Sequence, residues 1–237
     1  MQLKVLQYNR KLPKLREYSL NQSSFEAWLE QLSQLPGLFM TGTDTGVGKT
    51  WVGTQLLQHL RRLGLHITPR KPVESGWLAE QITETDSWKL AINASGLQPL
   101  THICPNPLLA PLSPPRAAHY EGKTLSIQQL AKQCQPRHTQ PSFLYVEGAG
   151  GFYSPLAHDG LNADLAQALK LPVLLVSEDR VGCINQILLT AAAIQTRQLS
   201  LVAVILNPRY STPPKGMDNQ QDLEALLAVP IIRWPPA

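Results

Sequence analysis

The stretch Gly42-Thr43-Asp44-Thr45-Gly46-Val47-Gly48-Lys49-Thr50 closes on Gly-Lys-Thr, the terminal triad of the phosphate-loop pattern G-x-x-x-x-G-K-[ST]. The pattern's first glycine place falls at Thr43, with Gly42 one residue earlier, so the loop is a variant of the commonest form. Its flanks carry the reading. Leu38-Phe39-Met40-Thr41 is a short apolar run bounded by Pro36-Gly37, as a buried strand requires. Beyond Thr50, the residues Val52, Leu56, Leu57, Leu60 and Leu63 recur at helical spacing, and Gly64 supplies a stop. In a strand–loop–helix context successive backbone N–H groups turn into one concavity, and the helix N-terminus adds partial positive charge. Gly46, Val47 and Gly48 would line that cradle, Lys49 would reach the β- and γ-phosphates, and the Thr50 hydroxyl would ligate Mg²⁺. A plain strand-to-helix turn with a chance lysine is the competing account, and the flanking pattern disfavours it. The stretch implies a nucleoside triphosphate site.

Working outward toward the C-terminus, the chain alternates short apolar runs with helical patterns. His66–Arg70 reads as a strand weakened by Pro69, and it leads into Lys71-Pro72-Val73-Glu74-Ser75-Gly76. A lysine just past a strand, on the phosphate-loop edge of the sheet, lies where parallel sheets place ligands. Taken alone, Lys71 reads more readily as a surface lysine and Asp86 as a helix N-cap, opening a helix that runs to Gly96. Residues 97–116 hold six prolines and are expected to form a loop or lid without regular structure. Helical segments follow at Arg116–Tyr120 and Ser126–Cys134. Phe143-Leu144-Tyr145-Val146 reads as a strand ending in Glu147-Gly148-Ala149-Gly150-Gly151, an acid and glycines placed as the second half of a phosphate site, where the acid meets Mg²⁺. A helix over Leu161–Leu169, a strand over Val173–Val176, a helix over Gln186–Gln198 opened by Gly182–Asn185, and a strand over Leu201–Leu206 follow in turn. Asp222–Ala228 and Ile231-Ile232 supply a last helix and strand. Near-continuous apolar strands alternating with helices imply an α/β fold, a doubly wound, mostly parallel sheet of the phosphate-loop NTPase type with helices on both faces.

On the N-terminal side, Phe25, Trp28, Leu29 and Leu32 form an apolar stripe, with Ser23 and Glu26 at capping-box spacing. Arg10, Lys11, Lys14 and Arg16 precede it. Residues 1–36 are therefore read as an extension, a basic arm plus an amphipathic helix, in front of one domain over 37–237. At 43% hydrophobic and 16% charged residues the composition is that of an ordinary folded chain. A net charge of +4 with no basic run longer than two residues gives no nucleic-acid footprint. Cys104, Cys134 and Cys183 are widely spaced and form no C-x-x-C, which argues against a disulfide or zinc framework and for a reducing, cytoplasmic setting. No apolar stretch approaches the ~18 residues that span a bilayer, and no apolar core follows the N-terminal charges as in a secretory signal.

Four separated stretches point the same way. Gly42–Thr50, Lys71–Gly76, Val146–Gly151 and Val181–Asn185 resemble dethiobiotin synthetase in the family's order, and the proline-rich Ala110-Pro111-Leu112-Ser113-Pro114 resembles it too. The resemblance covers about residues 38–207. It implies an ATP- and Mg²⁺-dependent ligase of biotin biosynthesis. Such an enzyme closes a cyclic urea from 7,8-diaminononanoate and CO₂ through a phosphorylated carbamate, releasing ADP and phosphate. Carried onto this sequence, it implies Lys49 and Lys71 as catalytic residues and Thr50, Asp86 and Glu147 as oxygen ligands of Mg²⁺. It implies Thr45 and Asn207 on ATP with the phosphate loop, Asn207 at the base, although an Asn-Pro turn explains Asn207 as well. Thr45, Ser75 and Gly150 would meet the substrate near its amines and carbamate. Gly182, Cys183 and Asn185 would meet the substrate tail from the second subunit of a homodimer, or else simply cap a helix. The sequence departs from the family's pattern before residue 37, at its end at Ala237, and at Pro115, where a histidine is common. A partitioning-type switch ATPase is the reading from another class, and Thr43 and Asp44 stand where those proteins carry a second lysine. A corrin-pathway amidoligase domain and an inactive homologue are the remaining alternatives.

Overall fold

The computed structural model describes residues 22–96, 98–137, 140–209 and 213–235; the basic arm and the cap expected from Ser23 lie outside the described residues and side chains. In chain order the elements are α1 (Gln22–Ser33), β1 (Gly37–Gly42), α2 (Lys49–Arg62), β2 (Ile67–Arg70), β3 (Val73–Ser75), a 3-10 helix (Ala79–Glu84), α3 (Asp86–Asn93), α4 (Leu100–Ile103) and β4 (Asn106–Leu108). There follow α5 (Pro114–Tyr120), α6 (Ile127–Cys134), β5 (Phe143–Gly151), β6 (Pro155–Ala157), β7 (Gly160–Leu161), α7 (Asn162–Leu169) and β8 (Val173–Glu178). The chain continues through α8 (Cys183–Thr196), β9 (Leu201–Asn207), α9 (Asn219–Glu224) and β10 (Ile231–Arg233).

Six strands form one sheet in the order β10-β9-β8-β1-β5-β2, and every pairing in it is parallel. Sequence alternation along β1 sends Leu38 and Met40 into one core and Phe39 into the other. The first core lies under α1, α2 and α3; the second lies under α5, α6, α7 and α8. All residues of β1 and β9 are buried, as central parallel strands covered on both faces must be. Pro69 is accommodated because β2 pairs only with β5 and forms the sheet edge, where a missing N–H costs no ladder bond.

Phe25, Trp28, Leu29 and Leu32 of α1 are all buried, each contributing on the order of 2 kcal/mol of apolar transfer. Phe25 meets the rings of Trp28, His59 and Trp234 at 5.6, 5.3 and 5.8 Å, and Trp234 Nε1 donates to Gln55 Oε1 of α2 at 2.9 Å.

Three sequence expectations are corrected. Residues 97–116 are not devoid of regular structure: they hold α4, β4 and the start of α5. Pro114 and Pro115 open α5 from the N1 side, where a helix has no intrahelical use for an N–H, and Pro107 lies in a three-residue strand. Asp86 is the first residue of α3, and Thr85 is the N-cap, its Oγ1 accepting from Trp88 N at 3.2 Å. The last helix lies at Asn219–Glu224, capped by Asp218, rather than at 222–228. Parallel alignment brings the C-terminal ends of β1, β5 and β2 to one edge, with Met40 beside Glu147 and Arg70 beside Val146. The phosphate loop, Glu147 and Lys71 therefore emerge together.

Candidate active site

The loop between β1 and α2 turns on Gly46 and Gly48, whose φ angles of 77° and 93° lie in the left-handed region. Gly48 also gives way to Asn207, since a Cβ there would collide with the Asn207 amide. Asn207, at the end of β9 and buried, donates Nδ2 to Val47 O at 2.9 Å, so this side chain braces the loop from the sheet side. Lys49 opens α2 with its Nζ donating to Asp44 O at 3.1 Å. Burial, helped by the charge of Lys71, pulls the Lys49 pKa down to about 8.

Lys71 stands at the centre of an acidic cluster. Its Nζ lies 2.6 Å from Glu147 Oε1 and 2.8 Å from Asp86 Oδ2, and donates to Gly148 O at 3.3 Å. Burial would lower its pKa, but Asp86, Glu147 and Glu74 outweigh that and hold it above the ordinary lysine value. Burial likewise works against ionisation of Asp86, while Lys71 and a hydrogen bond from Thr50 hold its carboxyl below the usual range. Thr50 Oγ1 also lies 2.8 Å from Glu147 Oε1, so its one hydroxyl proton is shared between the two carboxylates. Thr50, Asp86 and Glu147, expected as one set, are thus within reach of one another around a bound ammonium.

The donor set suits Mg²⁺. It comprises two carboxylates and a hydroxyl, hard oxygens already gathered about a cation, and Mg²⁺ ordinarily takes one or two carboxylates and completes its shell from water and substrate phosphate. Among the described residues no group of three His, Cys, Asp or Glu is arranged to hold a metal, so such an ion would depend on the phosphates as well.

Ser75 Oγ, at the end of β3 and next in the chain to Glu74, is buried without a hydrogen-bond partner. Thr45 is exposed at the rim of the phosphate loop, and the Cβ position of Gly150 lies 3.4 Å from its Oγ1, so Thr45 and Gly150 are adjacent. Gly182, Cys183 and Asn185 form a separate neighbourhood at the start of α8. There Gly182 is left-handed, Asn185 is exposed, and the Cys183 side chain is buried, so only its backbone is available to a ligand.

Sequence reasoning missed three contributors. Glu74 accepts from Asp86 N at 2.6 Å and Ser87 N at 3.0 Å, pinning the start of α3 beside Lys71. Tyr145 OH lies 3.1 Å from Glu147 Oε2 and is kept protonated by burial and by that carboxylate, which makes it a donor. The third is Gly53, where a Cβ would strike the Tyr145 hydroxyl. A glycine inside an otherwise helical pattern was the one legible signal of this approach.

With this geometry in view, relatives are informative. A family model described as "AAA domain" matches residues 36–233. The "ATP-dependent dethiobiotin synthetase BioD" of Anaeromyxobacter dehalogenans (strain 2CP-C) is 40% identical over 171 residues, 72% of this chain and 76% of the relative. Its namesake from Xanthomonas campestris pv. campestris (strain 8004) is 38% identical over 208 residues, 86% of this chain and 93% of the relative. This chain belongs to the dethiobiotin synthetase family. That from Cellvibrio japonicus (strain Ueda107), at 39% over 196 residues, covers 82% of the chain. Among solved structures, a nucleotide-binding protein in complex with ADP from Archaeoglobus fulgidus is similar at a TM-score of 0.45 and 14% identity, over 88% of this chain and 85% of the other. Among the described residues no helix is long and apolar enough to cross a membrane.

Proposed function

We propose that this member of the dethiobiotin synthetase family is an ATP-dependent ligase that closes the ureido ring of dethiobiotin from 7,8-diaminononanoate and CO₂. The observation that carries the reading is the convergence of two buried lysines, Lys49 and Lys71, with Thr50, Asp86 and Glu147 beyond one edge of the six-stranded sheet. One substrate amine adds to CO₂ with loss of a proton, giving a carbamate. The carbamate oxygen takes the γ-phosphoryl group of ATP, releasing ADP. The second amine attacks the carbonyl carbon of the mixed anhydride, phosphate departs, and the ring is closed.

Each step asks the protein mainly for placement and charge. Lys49 meets the γ-phosphoryl oxygens from the phosphate loop, which also holds ATP through Thr45, Gly46, Val47, Gly48 and Thr50. Asn207, which braces the loop through its Nδ2, would contact the base through the rest of its amide. Lys71 faces the carbamate with its charge fixed by its carboxylate neighbours. Ser75 and Thr45 donate to the substrate, and Gly150 offers backbone to it. Thr50, Asp86 and Glu147 would hold Mg²⁺, whose chemistry there is neutralisation of phosphate charge. The substrate tail reaches Gly182, Cys183 and Asn185 of a second copy in a homodimer. Val181, just before α8, and Leu189, one turn beyond Asn185 on it, are 67% and 65% exposed, which supports that arrangement.

The test is phosphate release from Mg-ATP with and without diaminononanoate and bicarbonate, with mass detection of dethiobiotin. Product with all components present is the expected result. Hydrolysis independent of the diamine overturns the ligase reading.

A further inference from the structure

The segment after Glu147 is as glycine-rich as the phosphate loop. Gly151 N donates to Ser154 Oγ at 2.9 Å, and Ser154 N donates to Gly151 O at 3.0 Å. Much of its remaining polar backbone meets a single side chain, Asn162, the first residue of α7 and fully buried. Asn162 Oδ1 accepts from Ala149 N at 3.0 Å. Its Nδ2 faces Ala149 O at 2.7 Å, Gly151 O at 3.0 Å and Ser154 O at 3.2 Å. The carboxamide grips the Ala149 residue by both its N–H and its C=O, as a neighbouring strand would, and spends all its hydrogen-bonding capacity on one loop. The base of that grip is rigid. Asn162 N and Ala163 N donate back to Ser154 O and Phe152 O at 3.1 and 3.0 Å, and Ala163, Leu165 and Ala166 anchor α7 in the core. The loop has been shaped to receive the amide: a Cβ at Gly148 would stand 2.5 Å from Asn162 Oδ1.

We infer that Asn162 is the positioning residue of the substrate loop, holding the Gly148 carbonyl where Lys71 donates to it and the Gly150 backbone beside Thr45. The inference rests on the ligase reading above for its consequence on turnover, and on the hydrogen bonds alone for its consequence on the loop. A buried amide that merely stabilised the domain would touch several elements; this one serves the segment between Glu147 and Ser154. A displacement of about 1 Å at such a segment costs on the order of 100-fold in rate.

The test compares Asn162→Asp, which keeps the acceptor at Ala149 N but sets oxygen against three carbonyls, with Asn162→Ser. Both are expected to lower kcat per folded enzyme by 10- to 100-fold and to raise the diamine KM, with the ATP KM within about twofold of wild type. If both variants fold poorly, Gly148→Ala approaches the same contact from the loop side and is expected to give the same split. Variants that lose only thermal stability, with kcat and both KM values unchanged, overturn the assignment. Wild-type turnover tests the ligase reading separately. Should wild type make no dethiobiotin, amide hydrogen exchange decides the loop question: faster exchange at Ala149 and Gly151 alone in Asn162→Ser supports the assignment, and unchanged exchange there refutes it.

Discussion

Lys49 and Lys71 are both buried, at 7% and 3% exposure, and both emerge at the same sheet edge, yet their surroundings pull them in opposite directions. Lys49 has a backbone carbonyl as its hydrogen-bond partner and a helix N-terminus beneath it, so burial weakens its hold on the proton. Lys71 is enclosed by carboxylates and holds its proton more firmly than a lysine in water. The difference is one of who completes the charge. The protein has already neutralised Lys71, whereas Lys49 is left for an incoming anion to satisfy. One lysine maintains the geometry of the site and the other awaits its ligand.

The strongest way to break this comparison is to remove Lys71. Lys71→Met leaves Glu147 fully buried beside an uncompensated Asp86, and a loss of about 3–5 kcal/mol in denaturant unfolding is expected. In the fraction that folds, turnover falls by orders of magnitude while ATP binding by calorimetry is largely retained; full activity would remove Lys71 from the mechanism. Lys49→Met should do the reverse. Stability of the free protein is unchanged or improves by up to about 3 kcal/mol, the scale of the proton affinity lost on burial, and ATP affinity falls roughly 100-fold or more. A destabilised Lys49→Met would contradict the contrast.

The pH dependence sharpens it further. Well below pH 8 Lys49 is charged in the free protein and needs no proton to meet phosphate; well above pH 8 it is neutral and must be protonated. Calorimetry in buffers of different ionisation enthalpy should find fractional proton uptake at pH 8.5 that is absent at pH 6.5, with weakening affinity as pH rises. The smallest effect is expected from Tyr145→Phe, which deprives Glu147 Oε2 of a donor in a dry site. A loss of about 1–2 kcal/mol and a several-fold drop in kcat should result, with the ATP KM unmoved.

Which features could be read from the sequence follows from how far apart the interacting residues lie. The phosphate loop was legible because its chemistry is written in consecutive residues, and the strands were legible because burial on both faces leaves uninterrupted apolar runs such as Val173–Val176. The partners of Lys71 were not legible from its neighbourhood: Glu147 is 76 residues away and comes beside it only through the β1–β5–β2 pairing. Asn162 and Glu74 escaped for the same reason, since each acts on backbone groups 8 to 13 residues off and no local pattern marks an amide or acid for that use. The proline-rich segment was misread because proline's missing N–H was taken to forbid helix everywhere, when it is harmless in the first turn of α5.

The aromatic seat of α1 has a consequence for how the molecule is made. Phe25 packs on Trp234, and Trp234 is bonded to Gln55 on the helix that carries the phosphate loop. On a ribosome adding 5–20 residues per second, roughly 10–40 s separate the synthesis of Phe25 from that of Trp234. During that interval the ring contact of Phe25 and the hydrogen bond of Gln55 have no partner, so the far side of the phosphate-loop helix is among the last parts of the molecule to be closed.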